Sequence, residues 1–429
     1  MHPRKLFRRY EMKNYDVIVV GGGFAGVAAA ISAARGGAGV LLCERTGALG
    51  GAASNCLVNP FMRNWTTVDG KRLDLSAGIF LQILDEMERR GAMWKETFLE
   101  EELKIVLEEM AQEAGVTLLY HAELYDVKRL NGRISELVFS TRGGTLTVTG
   151  RQFIDATGDA QLSFLAGCET VQGRREDGLC QPMTLVFRVA DVDVDAFFKG
   201  YSRLVSEYNE AQSRGEIKNP RENILVFKYP IKNVLHFNTT RIIKLSPTDP
   251  FEITRAEIEG RAQVKEMFEF LKAHADGFEN AYLMMTAAEI GVRESRMIVG
   301  EHVLTGQECL NCTRFEDAIA ACNYEVDIHN PEGSGTEIHY FKAGTFYTIP
   351  YRCLVPKGED NLLVAGRCIS ADHVSQASLR IMPTVCSIGE AAGTAAAMAV
   401  KEGVDVGSVN VARLREALKA AGAILWEDQ

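Results

Sequence analysis

Val17-Ile18-Val19-Val20-Gly21-Gly22-Gly23-Phe24-Ala25-Gly26 runs from a short apolar stretch straight into a glycine turn. Four consecutive branched apolar residues suit a strand buried on both faces, as in a parallel sheet. The turn fits the pattern G-x-G-x-x-G. Gly21 permits the tight bend, Gly23 lets the backbone approach a bound pyrophosphate, and Gly26 lets the next helix pack closely on the strand. That helix, residues 27–35, is built of small side chains, and its N-terminus points unpaired amides at the turn. Val40-Leu41-Leu42-Cys43-Glu44 reads as a second buried strand. Glu44 closes it about 20 residues beyond the glycines, where an acid accepts hydrogen bonds from adenosine ribose hydroxyls. Strand, glycine turn, helix, strand and terminal acid make a βαβ unit addressed to a dinucleotide. The fold class it predicts is α/β, with a doubly wound sheet.

Working outward, residues 81–90 and 97–114 have the apolar spacing of amphipathic helices. Residues 116–120, 124–130, 133–140 and 145–149 read as strands of a small meander, with Asn131-Gly132 and Gly143-Gly144 as hairpin turns. Phe153-Ile154-Asp155-Ala156 reads as a further buried strand, ending in Thr157-Gly158-Asp159. From about Gln181 the character changes. Alternating strands (184–189 and 234–238) mix with a charged helix (255–274) and polar loops, the pattern of an α+β unit. The buried pattern returns after Tyr347, in Asn361-Leu362-Leu363-Val364-Ala365-Gly366-Arg367, followed by helices over 387–402 and 411–421. The expected organisation is a nucleotide domain in two parts, residues 12–180 and 346–429, with an α+β substrate domain inserted at 181–345. Met12 is the expected start of the folded unit, with residues 1–11 as a loose basic tail.

Four further elements choose among dinucleotides. Glu44-Arg45 is followed by Leu49-Gly50-Gly51, a second close-approach turn. Ala156-Thr157-Gly158-Asp159 closes one later strand and Ala365-Gly366-Arg367 another, and Arg380-Ile381-Met382-Pro383-Thr384 then opens a helix. Together these resemble the flavoproteins of the glutathione-reductase type. More narrowly, the chain resembles the bacterial FAD-dependent oxidoreductase family. Gly291-Val292-Arg293-Glu294-Ser295-Arg296, Ile349-Pro350-Tyr351-Arg352 and residues 365–393 carry that likeness. It extends over nearly the whole chain from Tyr15. The resemblance implies a Rossmann-like FAD-binding domain with FAD as cofactor. It implies that Gly21, Gly23, Phe24, Ala25, Gly26, Glu44, Arg45, Gly50 and Gly51 line the ADP and ribityl side, joined by Leu124 and Ala156. Gly158, Asp159, Gly366 and Arg367 would lie near the pyrophosphate and ribityl chain. Pro383, Thr384 and Val385, at a helix start, would face flavin N1 and O2, where reduced flavin carries negative charge and a helix N-terminus stabilises it.

A flavin performs the redox step itself, so side chains are needed to orient substrate and move protons. His373, in Ser370-Ala371-Asp372-His373, titrates near neutral pH and suits proton transfer; a helix-capping or surface role is the alternative. Arg380 directly precedes the helix start and can pin a carboxylate or the flavin carbonyl, or else hold the two domains together by an ion pair. Arg293 and Arg296, three apart, share a face if helical. They then bind an anionic group of substrate or cofactor, or form a salt-bridge cluster. His236 and Asn238 alternate along an expected strand. Their face either lines a substrate pocket or is a polar edge. His339 and Arg352 are weaker candidates.

The chain has 429 residues and a formal charge of −10, with no basic block, which excludes a nucleic-acid footprint. No apolar run approaches the roughly 18 residues of a membrane helix. The basic start has no apolar stretch after it and does not read as a secretory signal. Ten scattered cysteines read as reduced thiols in a cytoplasmic protein. Cys309-Leu310-Asn311-Cys312, with Cys322 beyond, lacks a complete ligand set, so no metal is expected. Cys56 follows the Gly50-Gly51 turn, where disulfide reductases of this broad class keep a redox pair, but Phe61 stands where the partner belongs. A second G-x-G-x-x-G is lacking, so electrons are expected to pass to or from an external donor or acceptor. The leading reading is an FAD-dependent oxidoreductase acting on a small organic substrate by hydride transfer at flavin N5. The rivals are a flavin-dependent synthase or RNA-modifying enzyme, and a non-catalytic FAD-binding or electron-transfer subunit. Homo-oligomerisation is left open.

Overall fold

The computed structural model describes residues 14–425. The expected start at Met12 and the basic stretch before it lie outside the described residues. Residues 17–20 pair in parallel with Val40–Cys43 on one side and with residues 152–155 on the other. The strand period of two sends Val17 and Val19 to one face and Ile18 and Val20 to the other, and each face meets its own apolar core. Burial on both faces is why the run is continuously apolar.

The parallel strands lie in the order Thr117–Leu119, Val40–Cys43, Asn14–Val20, the end of Gly144–Asp155, and Leu362–Val364. Gly144–Asp155 is a single strand of 12 residues, where the sequence suggested two, 145–149 and 153–156. Its first half pairs antiparallel with Arg133–Thr141, which in turn pairs with Glu123–Leu130. Its second half is central in the parallel sheet, so meander and nucleotide sheet are one seven-stranded sheet. Gly150, between those two expected strands, is a packing glycine: a Cβ there would stand 2.8 Å from Cδ1 of Ile18.

Helices Phe24–Arg35 and Met382–Glu402 pack side by side on one face. Cβ atoms on Gly389 and Gly393 would overlap the carbonyl oxygens of Ala25 and Ala29, so these glycines set how closely the helices approach. Ser32 Oγ donates to the Glu390 carbonyl at 3.0 Å across the contact. The Met382–Glu402 helix starts ahead of the expected residue 387, because Pro383 occupies its first turn, where a fixed φ suits it and a missing N–H costs nothing.

A second core lies under a four-stranded antiparallel sheet, ordered Val226–Lys228, Val234–Phe237, Phe187–Ala190, Tyr282–Thr286. Phe187, Leu235 and Phe237 point from it into helices Val194–Ser213 and Pro250–His274. The latter helix begins before the expected residue 255. Asp249 caps it by accepting from the Phe251 and Glu252 amides, and Pro250 fills the first position. Met297, Ile298, Leu304, Cys309, Ile319 and Cys322 fall between residues 181 and 345 yet pack into the first core, against the nucleotide sheet. Among the described residues no helix is long and apolar enough to cross a membrane.

Candidate functional site

The C-terminal ends of the parallel strands open into a long cleft, and the glycine turn forms its near wall. Gly21 has φ +103° and donates its amide to the Cys43 carbonyl at 2.8 Å. A Cβ on Gly21 would overlap the Ala156 carbonyl, and one on Gly26 would overlap the Gly21 carbonyl. Gly23 differs: a Cβ there would meet only Gly51 Cα, at 4.0 Å. Its face looks into open cleft, so a ligand can reach the backbone there. Gly50 donates its amide to the Gly22 carbonyl at 2.8 Å, which ties the second glycine turn to the first.

Glu44 is buried, and its carboxylate is oriented by the protein. Oε2 accepts from the Gly22 amide at 2.7 Å, and Oε1 accepts from Thr46 N and Oγ1 at 2.8 Å. Leu124 lines the same end of the cleft with Val20, Ala122 and Cys43. Arg45 reaches across to an ion pair with Glu289. The far wall is the turn after Gly144–Asp155. Fully buried Asp155 accepts from Thr157 N and Oγ1 at 3.1 and 2.7 Å, and from Ser163 N and Oγ at 2.8 Å. That fixes Ala156-Thr157-Gly158-Asp159, with Gly158 at φ +79°. Asp159 Oδ1 then accepts from Arg367 Nη2 at 2.7 Å and Ser295 Oγ at 2.6 Å.

The cleft ends at Met382–Glu402, whose N-cap, Ile381, makes no side-chain cap. The Val385 amide closes on the Ile381 carbonyl at 3.0 Å. Val385 lines the cleft, but its amide is spent, contrary to expectation. The amides left ahead of that first bond are those of Met382 and Thr384, since Pro383 has none. Thr384 Oγ1 is buried without a partner. Cys56 lies on the cleft wall, its Sγ 3.5 Å from the Ile290 carbonyl, and burial pushes its thiol up to about 12. Phe61 stacks on Phe98 and packs edge-on against Phe24 and Phe80.

The four side chains considered for chemistry do not converge. Arg380, at the C-terminus of the short helix His373–Leu379, lines the cleft beside Gly366 and Arg367. Among the described residues it has no ion pair; Nη2 reaches the Asp327 carbonyl at 3.4 Å and Nη1 is buried without a partner. Arg293 donates to the Pro182 carbonyl at 2.6 Å and to Thr184 Oγ1. Residues 291–295 are not helical, so Arg293 and Arg296 share no face. Arg296 starts a strand, donates to the Asp159 carbonyl at 3.0 Å and lies over the Phe164 ring. His373 opens the short helix at the end away from Arg380, with Nδ1 2.8 Å from Glu294 Oε1. His236 is fully buried beneath the second sheet, beside Arg188 and stacked on Tyr229. Burial, then the Arg188 charge, holds it down to about 3, so it stays neutral. It lines none of the cleft, which corrects the expectation of a pocket-lining face. His339 is exposed, and Arg352 pairs with Asp317 at 3.0 Å. No cluster of side chains suited to a metal occurs among the described residues. Sequence reading missed Thr157, Ile290, Val292 and Met382 on the cleft wall. Of these, Thr157, Val292 and Met382 stand inside motifs already read, whereas Ile290 carries no local signal.

This cleft suits an elongated dinucleotide. It offers backbone without side chains at Gly23, an oriented carboxylate at one end, and open amides with an unspent arginine at the other. Such a fold and site define a nucleotide-binding α/β oxidoreductase. A model of the FAD dependent oxidoreductase family matches residues 16–418, and the chain belongs to that family. It is an FAD-dependent enzyme, and FAD is its cofactor. Among solved structures it is similar to a geranylgeranyl bacteriochlorophyll reductase-like protein from Thermoplasma acidophilum. That likeness has 14% identity, 95% of this chain and 84% of that one covered, and a TM-score of 0.51. It is also similar to p-nitrophenol 4-monooxygenase PnpA from Pseudomonas putida, with 11% identity, 95% and 86% covered, and a TM-score of 0.48. Identities this low bear on fold alone. Comparison with curated protein sequences returned no match.

Proposed function

We propose that this enzyme oxidises or reduces a small organic molecule by hydride transfer between a substrate carbon and flavin N5, and exchanges the electrons with a separate donor or acceptor. The observation that carries this reading is Arg380, a cleft-wall cation whose Nη1 has no partner among the described residues, beside a helix start without a side-chain cap. Bound FAD supplies the two-electron carrier. The chain supplies the rest. Gly23 leaves the backbone open to the pyrophosphate, and Gly21, Gly26, Gly50 and Gly51 hold the two turns and the helix start in place around it. Glu44 accepts from the ribose hydroxyls, with Leu124 at the adenine end. Gly158, Asp159, Gly366 and Arg367 border the ribityl chain. The Met382 and Thr384 amides offset negative charge that develops on reduction. Arg380 and Arg293 orient substrate. His373 acts through Glu294 as a positioning residue for the 293–294 segment, and His236 is structural. In this reading residues 12–180 and 346–429 carry the cofactor, and residues 181–345 close over the substrate.

The test mixes purified holoprotein anaerobically with a panel of metabolites and follows flavin absorbance. Bleaching by one metabolite alone, or reoxidation of the reduced flavin by one, is the expected result. Reduction only by a partner protein would overturn the reading in favour of an electron-transfer subunit.

A further inference from the structure

Beside the cleft, two buried arginines and two half-buried ones outnumber the carboxylates able to neutralise them. Arg221 follows helix Val194–Ser213, Arg241 follows strand Val234–Phe237, and Arg293 and Arg380 come from two other stretches; all four meet around strand Val326–His329. Arg241 is held through its two terminal nitrogens, although its Nε is buried without a partner. Its Nη1 donates to the Gly333 and Gly335 carbonyls at 3.2 and 2.7 Å. Its Nη2 donates to Thr336 Oγ1 at 3.0 Å and lies 3.2 Å from Glu222. The other three have no carboxylate partner among the described residues. Arg221, 5% exposed, donates from Nε to Asn223 Oδ1 at 3.2 Å. Arg293 and Arg380 reach only the neutral oxygens already named.

Glu222 and Glu294 are engaged elsewhere, while Asp327 faces the cluster. Its Oδ2 lies 3.2 Å from His329 Nε2 and its Oδ1 is buried without a partner; burial opposes its ionisation, yet the His329 bond and the charges of Arg380 and Arg293 hold its carboxyl below the ordinary range. Glu222 accepts from Arg241 and Thr336. Glu294 meets His373 and accepts the Gln181 amide at 2.8 Å. Burial, then the charges of Arg380 and Arg221, pulls the Arg293 guanidinium well below its ordinary value; burial also lowers Arg221 and Arg380, with Asp327 opposing. One carboxylate does not neutralise three guanidiniums, and charge held from water short of counter-charge is unfavourable, so folds keep it where a ligand completes it.

We propose that Arg293 and Arg380, with Arg221 behind them, recognise an anionic small-molecule substrate bearing carboxylate or phosphate oxygens. A guanidinium fork matches either group with two parallel hydrogen bonds. Arg380 belongs both to this cluster and to the cleft wall, so the anion would anchor a substrate alongside Gly366, Met382 and Val385. The inference rests on the reading of the cleft as a small-molecule redox site.

The experiment titrates wild-type holoprotein with acetate, succinate, inorganic phosphate and glycerol phosphate, with neutral succinamide as control. Flavin absorbance and Tm are read without turnover. At least one anion should shift the flavin spectrum saturably and raise Tm, and succinamide should do neither. A response to the carboxylates alone identifies a carboxylate substrate; a response to the phosphates alone identifies a phosphorylated one. Arg293→Gln and Arg380→Gln should weaken the response at least tenfold. Without ligand their Tm should equal or exceed that of the wild type, because an unpaired buried charge has been removed. No response to any anion, an equal response to succinamide, or large losses of Tm in both unliganded variants would overturn the proposal. Anion binding with no metabolite able to bleach the flavin would support this site and sink the redox reading. Bleaching by a neutral metabolite, untouched by either substitution, would do the reverse.

Discussion

Gly26 packs against Gly21 so tightly that a methyl group on Gly26 would overlap the Gly21 carbonyl oxygen, whereas the same group on Gly23 would enter open cleft. The two glycines therefore have separable tasks. Gly26→Ala must push helix Phe24–Arg35 off its strand, an overpacking strain of about 1–3 kcal/mol, and should lower Tm whether or not FAD is present. Gly23→Ala should leave the apoprotein's Tm unchanged and weaken FAD binding at least tenfold. Thermal melts of apo and holo forms of both variants check this. Equal losses in the two apoproteins would show that Gly23 is a packing glycine too.

The N-terminal unit was legible because each element of it answers to a local rule: continuous apolar residues for a two-faced strand, glycines where backbone meets backbone, an acid at the next strand end. The continuity of Gly144–Asp155 was not legible, because a packing glycine and a turn glycine look alike in sequence; only Ile18 beside Gly150 tells them apart. Arg293 and Arg296 suggested a helical face from spacing alone, yet extended backbone sends one to Thr184 and the other over Phe164. The arginine cluster was invisible, since Arg221, Arg241, Arg293 and Arg380 are distant in sequence and each sits among ordinary polar residues. What singles them out is that four guanidiniums meet few carboxylates, a tertiary property.

Glu390 gives a pH signature. It is buried in helix Met382–Glu402, where Oε2 accepts from the Ile79 amide at 3.2 Å. Burial raises it to about 7, with the Ile79 bond and Arg35 opposing. A carboxyl raised on folding contributes stability that is fully present below its unfolded value and lost as pH rises through its folded one. Its contribution should therefore decline between about pH 4.5 and pH 7. Glu390→Gln keeps an oxygen for Ile79 and removes the charge. It should match the wild type at pH 4.5 and exceed it by about 3 kcal/mol at pH 8. Urea unfolding of both proteins across this range reads the difference directly, and parallel curves would refute it.

Cys309 and Cys312 should behave unlike each other. Cys309 is packed in the first core, while Cys312 lies at its rim with φ +54° and donates its amide to the Cys309 carbonyl at 2.9 Å. Cys312→Ser should leave flavin content, turnover and Tm unchanged. Cys309→Ser buries a hydroxyl and should cost about 1–3 kcal/mol. Elemental analysis of the wild type should find no stoichiometric zinc or iron; either metal, lost in the variants, would contradict this.

The Glu100–Arg188 ion pair bridges the two cores, and both side chains are almost fully buried. Glu100 heads helix Glu100–Glu113, beside the first core, and Arg188 lies in the second sheet. Tyr229 Oη donates to Glu100 Oε2 at 2.7 Å, Asn59 Nδ2 donates to Oε1 at 2.9 Å, and Arg188 lies 3.9 Å over the Tyr229 ring. His236 accepts from Arg188 Nε at 3.3 Å through Nδ1, which leaves its proton on Nε2. Removing one partner strands the other in a dry interior, so Glu100→Ala should cost about 3–5 kcal/mol. Replacing both partners by apolar residues avoids the stranded charge. The double variant Glu100→Leu/Arg188→Met should therefore recover most of that loss. Denaturant unfolding of wild type, Glu100→Leu, Arg188→Met and the double variant closes the cycle. The same cluster decides what His236 does. Held neutral and off the cleft, it cannot set a titration of activity between pH 5 and 9. His236→Gln should lower stability while leaving the shape of the pH–rate profile intact. A profile that lost a limb in this variant would return His236 to the chemistry.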